Sequence, residues 1–252
     1  MPSPATTYPY VETIRPGLVV QQVAGDTWVV THEEIHDSNV LLARMGDGTL
    51  LVASSPFDTD TTRAVLAWAR AILAPTRIVA INTHWHADGT GGNAAYHEAG
   101  VVTYASTHTQ ALVQERGERM RVEAAEGFPP EVAERIRTTP VVAAQETFDE
   151  ASGLTLTFAD ERIDVIFPGA AHSADNVVVH LPERHVLFGG CMLKVGDSIG
   201  YLGDASLDTW EPALHRLEPL EARVVVPGHG KSGGPEIIAN TLRLVRAERA
   251  RR

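Results

Sequence analysis

The sequence predicts an α/β fold of two packed sheets with helices outside, and three observations predict it. Each half of the chain places strand-like segments before helical ones. No Pro/Ser-rich linker divides the halves, so residues 1–252 read as one domain of two αβ halves. With 252 residues and 44% of them hydrophobic, the chain can bury a sizeable core.

In the first half, residues 18–31 and 38–54 read as strands, the second folded at Gly46-Asp47-Gly48, a turn signal between apolar runs. Residues 58–62 offer capping side chains ahead of Val65, Trp68 and Ile72, which share one face of a helix. A short apolar strand follows at 77–82. Residues 93–99 read as a helix stopped at Gly100, 101–105 as extended, and 108–114 as a helix. A charged segment at 115–139 carries Phe128, Val132 and Ile136 at helical spacing, with Pro129-Pro130 suited to a first turn, and reads as a helical arm.

The second half resumes with extended pairs, 154–158 with 163–167 and 176–181 with 185–188. Residues 209–217 read as a helix, 223–226 as a strand and 237–249 as the closing helix.

Charge and composition exclude several classes. A formal net charge of -11 argues against a nucleic-acid surface, and the basic tail at 243–252 suits the C-terminal end of a helix dipole. No apolar run approaches the roughly 18–20 residues that span a bilayer, and residues 1–10 lack the apolar core of a signal peptide. The expectation is a chain without a membrane span, either not exported or already freed of a leader. A lone cysteine, Cys191, cannot form an internal disulfide.

The stretch "INTHWHADGTGG", residues 81–92, places His84, His86 and Asp88 on alternate positions where a buried strand gives way to glycines. Such spacing suits side chains that converge as a loop curls, and imidazole and carboxylate are both zinc ligands. Three later stretches each present a ligand beside glycine at a strand end: "PGAAHSADN" with His172, "FGGCMLK" with Cys191 and "VVPGHG" with His229. Six ligands are too many for one tetrahedral zinc and suit two sites of three, each with the open position that catalysis needs. The other histidines, His32, His36, His97, His108, His180, His185 and His215, read as surface or core residues.

The order HxHxD, GxxHSxDN, GGCMLK, PGHG resembles the metallo-β-lactamase superfamily, and specifically its subclass B1. The segment at 115–139, with "SPFD", "DGTGGN" and "GYLGDA", is most similar to the São Paulo type of B1 enzyme. Many relatives acting on thioesters, lactones or phosphodiesters carry HxHxDH, whereas here Gly89 follows Asp88. The resemblance implies an αββα sandwich of two mixed sheets, two zinc ions, and a periplasmic monomer. It implies a first zinc on His84, His86 and His172 and a second on Asp88, Cys191 and His229. It further implies class B β-lactamase activity, in which a zinc-held hydroxide oriented by Asp88 opens the β-lactam of penicillins, cephalosporins or carbapenems. Lys194 stands where the family pairs a lysine with the drug carboxylate, and Tyr201 where many B1 enzymes carry an asparagine at the carbonyl oxygen. Ser173 and Asn176 are expected either to support the ligands or to cap a loop. The competing expectations are a zinc hydrolase of another ester or lactone, and a zinc-binding protein without catalysis.

Overall fold

A computed structural model of the chain describes residues 10–252, so the reading of the first ten residues falls almost entirely outside the described part. The first half opens as a meander of five antiparallel strands: β1 (Val11–Arg15), β2 (Leu18–Ala24), β3 (Thr27–His32), β4 (Ser38–Arg44) and β5 (Thr49–Ala53). The stretch 18–31 is therefore a hairpin broken at Gly25-Asp26, and β1 adds an edge strand that its mixed composition did not announce. Helix α1 (Thr59–Ile72) begins where expected, because the Asp58 carboxylate accepts the Thr61 N–H at 2.7 Å.

The chain then turns parallel. Strands β6 (Arg77–Ile81), β7 (Val102–Ser106) and β8 (Glu146–Phe148) add successively to β5 and complete an eight-stranded sheet. Between them lie α2 (Ala87–Thr90), α3 (Asn93–Glu98), α4 (Thr107–Ala124) and α5 (Pro130–Thr138). Residues 108–114 are thus the first part of an 18-residue helix rather than a separate element, and the charged segment begins inside it.

The second sheet repeats the scheme. Strands β9 (Leu154–Phe158), β10 (Glu161–Ile166), β11 (Val178–Leu181) and β12 (Val186–Gly190) are antiparallel neighbours. After α6 (Leu207–His215), strand β13 (Val224–Pro227) pairs parallel with β12, and α7 (Glu236–Arg249) closes the fold. Among the described residues no helix is long and apolar enough to cross a membrane.

Side-chain alternation explains the layering, since successive residues of a strand face opposite sides. In β4, Leu41 and Ala43 point between the sheets to meet Val179, Phe188 and Val226, while Val40 and Leu42 point outward to Trp68 and Leu66 of α1. On the other sheet Val178, Leu187 and Val225 point outward to Trp210 of α6 and Val245 of α7. The result is the αββα sandwich, with two mixed sheets and helices on both outer faces.

The α4–α5 arm is not a solvated helix pair. Leu112, Val113 and Met120 of α4 bury Trp85, and Val132, Ala133 and Ile136 of α5 enclose Ile35, Phe57 and Ala87. Losing the buried Ile136 side chain to alanine would cost about 2–5 kcal/mol.

Candidate metal centre

The six candidate ligands converge at one edge of the sandwich. His84, His86 and Asp88 follow β6, His172 lies between β10 and β11, Cys191 follows β12 and His229 follows β13. The two sheets are joined there by the Val177 N–H, which donates to the Thr83 carbonyl at 2.8 Å.

The HxHxD segment does not stay a loop. It enters the single turn of α2, with His86 at its start, so Asp88 sits in a first turn and comes within 3.3 Å of the His84 ring. Its backbone is fixed by Asn82, which donates to the Gly89 carbonyl at 2.8 Å and exchanges two side-chain hydrogen bonds with Asn93. Ser54 donates its hydroxyl to the Asp88 carbonyl. A Cβ at Gly89 would lie 2.1 Å from the His84 carbonyl oxygen, so this backbone admits no side chain there.

The three imidazoles sit with ring centroids 4.8 to 5.5 Å apart and are almost completely buried. His86 Nδ1 and His172 Nε2 face each other at 3.1 Å. His84 Nε2 is buried and faces Asp88 Oδ1 at 3.3 Å. The far nitrogen of His86 is engaged by Asp204 at 3.1 Å, and the Tyr201 hydroxyl donates to the same carboxylate oxygen at 3.0 Å. Tyr201 is thereby anchored on Asp204. The loop bearing His172 is capped by Asn176, whose Oδ1 accepts the Ala171 and Ser173 N–H groups while its amide donates to the Gly169 carbonyl. The Ser173 hydroxyl is buried without a partner.

Beside the imidazoles, Asp88 Oδ2 lies 2.8 Å from Cys191 Sγ and 3.1 Å from His229 Nε2. Cys191 is seated by a close approach: a Cβ at Gly228 would fall 2.4 Å from its sulfur. The other His229 nitrogen, Nδ1, donates to the His36 carbonyl at 2.9 Å, which turns Nε2 toward Asp88. Ligand atoms of Asp88, Cys191 and His229 fall within 4.8 Å of one another, as do those of His84 with His86 and Asp88 and of His84 with His172 and Cys191. Buried imidazoles, carboxylate and thiol with inward-facing donor atoms fit a metal such as zinc.

Burial pushes the Cys191 thiol well above its ordinary range, and the Asp88 charge adds to it. Burial alone would raise Asp88 too, but His84 and His229 hold it well below the usual carboxylate range. Burial, with Lys194 and the neighbouring imidazoles, pushes His172 well below the ordinary histidine range. Burial opposes protonation of His84, yet the Asp88 charge, the Asp88 hydrogen bond and the Asp175 charge together more than offset it and the pKa lies above the ordinary value.

A cleft of about 700 Å³ opens over the cluster, within the size range of small-molecule sites. The arm contributes Met120, Ala124 and Phe128 to its lining, together with Lys194, Ile199 and Tyr201. The Lys194 ammonium lies 5.9 Å from the Trp210 ring, and burial lowers its pKa. His36, read from sequence as an ordinary histidine, lines this cleft and supports His229 through its carbonyl. Its role has no sequence signal, because a backbone atom performs it. Asp204 had one, since it lies in "GYLGDA", yet nothing in that motif says which histidine it meets.

The profile of the family described as "Metallo-beta-lactamase superfamily" matches residues 35–229, which contain all six ligands. The chain is 31% identical over 195 residues to a metallo-beta-lactamase type 2 of Bacteroides fragilis, covering 76% of this chain and 68% of that protein. The chain belongs to the metallo-β-lactamase superfamily. A metallo-beta-lactamase type 2 of Bacillus sp. (strain 170) is 27% identical over 237 residues, covering 90% of this chain and 82% of the relative. Among solved structures, a metallo-beta-lactamase from Pontibacter korlensis superposes with a TM-score of 0.75 at 28% identity, covering 91% of this chain and 99% of that one. One from Erythrobacter litoralis gives 0.75 at 26% identity, covering 92% and 98%. Metallo-β-lactamase membership implies zinc, and the His, Asp and Cys cluster fits it.

Proposed function

We propose that this protein is a dizinc β-lactamase of subclass B1, of the São Paulo type, that hydrolyses the β-lactam amide of penicillins, cephalosporins and carbapenems. The observation that carries this reading is the paired cluster itself: three buried imidazoles beside an Asp88–Cys191–His229 set, open to one cleft that Lys194 lines. On this reading His84, His86 and His172 hold one ion and Asp88, Cys191 and His229 the other. When bound, zinc supplies Lewis acidity toward a carbonyl oxygen and acidifies water to a pKa of about 7.

The chain's own residues do the rest. Asp88, placed between both sets, orients the attacking water by accepting a hydrogen bond from it, and Asp204 fixes the ring plane of His86. Lys194 pairs with the substrate carboxylate, a local attraction in a protein whose net charge of -11 repels anions. Met120 and Phe128 of the arm cover the apolar part of the substrate and exclude water. Tyr201 acts through Asp204 rather than at the carbonyl oxygen. A periplasmic, monomeric protein belongs to the same proposal and is supported by the resemblance alone.

An ester or lactone hydrolase on this scaffold is the second reading. Gly89 disfavours it, because the many relatives of that kind place a histidine where this backbone has room for no side chain. The deciding experiment is turnover of a carbapenem and a cephalosporin by the zinc-loaded protein, before and after chelation. Turnover abolished by chelator and restored by zinc is the expected result. Absence of turnover with two ions bound would move the reading to another ester or amide.

A further inference from the structure

Helices α4 and α5 contribute none of the six candidate ligands, yet they pack on the turn that orients one of them. We infer that the α4–α5 arm is a positioning element for His229: it holds the left-handed turn at His36-Asp37 whose carbonyl fixes the His229 ring. The inference rests on the reading that Asp88, Cys191 and His229 hold a metal.

The turn between β3 and β4 closes with the Ser38 N–H donating to the Ile35 carbonyl at 3.0 Å, and its central residues His36 and Asp37 have φ of 53° and 51°. Both central residues at positive φ make it a type I′ turn, a conformation dominated by Gly, Asn and Asp. Asp37 belongs to that set and His36 does not, so contacts from the surroundings help hold the shape. The turn presents two carbonyls to the metal centre. That of His36 accepts from His229 Nδ1 and that of Asp37 from the Gly230 N–H, each at 2.9 Å.

The backbone around His229 has separate support. The Asn39 N–H donates to the Gly228 carbonyl at 2.8 Å, and the Asn39 amide reaches the Pro227 and Gly230 carbonyls at 3.0 and 2.7 Å. What depends on the turn is therefore the rotation of the imidazole, the quantity that decides whether Nε2 faces Asp88 and Cys191.

Contacts that hold the turn come from the arm. Ile35 is fully buried in a cluster with Ala125, Val132, Ala133 and Ile136. The Phe128 ring lies 4.8 Å from the His36 ring. Arg135 pairs with Glu34 at 3.0 Å and reaches toward Asp58, the cap of α1, at 3.7 Å. Wedge, ring contact and ion pair meet three successive residues, 34 to 36, that lead into and begin the turn.

The test uses the full chain loaded with cobalt(II), whose charge-transfer absorption with a thiolate reports occupancy at Cys191. Phe128→Ala and Arg135→Met are measured alone and combined with Asp37→Gly, because glycine adopts positive φ without steric cost. Each arm variant is expected to weaken cobalt binding at the thiolate site about tenfold while the other equivalent is unchanged, and Asp37→Gly to restore most of the loss. Folded arm variants that keep thiolate-site affinity within about twofold would overturn the inference. So would equal weakening of both equivalents without rescue by Asp37→Gly, which would make the arm a general support. A wild-type protein lacking the thiolate band would overturn the metal reading first, and this inference with it.

Discussion

The two proposed ligand sets differ in charge: His84, His86 and His172 offer only imidazoles, whereas in Asp88, Cys191 and His229 a carboxylate and a thiol lie side by side. In the first set all three side chains are imidazoles and buried, His86 is backed by Asp204 and His172 sits on a loop that Asn176 caps. In the second, a carboxylate lies 2.8 Å from a sulfur that must become a thiolate to ligate, and the His229 side chain is 32% exposed. Charge distinguishes the second set, because two adjacent anions in a buried site repel until a cation lies between them.

The sharpest way to break this contrast is Cys191→Ser. The second set loses its soft anionic ligand while the first keeps all three imidazoles, so one zinc is expected to bind more than about 100-fold more weakly and the other unchanged. Competition against a chromophoric chelator measures both constants, and two zincs retained at full activity would refute the division. Asp204→Asn is the reciprocal probe. It removes the carboxylate behind His86 and is expected to weaken the first set about tenfold and leave the second within error. Tyr201→Phe, which removes only the donor to Asp204, is expected to move the same constant in the same direction by less.

The smallest expected effect is in pH dependence. Burial raises the Cys191 pKa, so the folded metal-free protein keeps a proton that the unfolded chain releases near pH 8.5. Stability from this group is full below that pH and is lost as pH rises toward the folded value. Asp88 has the opposite sign: its depressed pKa stabilises the fold above about pH 3.9, and that contribution is lost as the solution is acidified. Thermal melts of metal-free protein at pH 7 and 10 are expected to show a falling Tm that Cys191→Ser abolishes. An unchanged slope in the variant would assign the effect elsewhere.

Much of this was legible in the sequence, for a physical reason. Ligands beside glycine at strand ends are a local pattern, and the strands that carry them are short apolar runs with clear stops. Asp58 caps α1 and Gly100 stops α3 through local interactions. What stayed hidden depends on distant or backbone contacts. Strand β8 has three residues, two of them exposed, and forms only because β7 offers an edge. The α4–α5 segment reads only as a charged helical arm until Trp85 and Ile35, from remote parts of the chain, are seen packed beneath it. Asp204 meets His86 across 118 positions, and His36 acts through its carbonyl, so neither role could be read from a motif.

The central claim, two adjacent three-ligand sites of unlike character, is tested most directly by native mass spectrometry of the full chain titrated with zinc. Two retained ions are predicted for the wild type and one for Cys191→Ser. A single ion in the wild type, or two in the variant, would contradict the account.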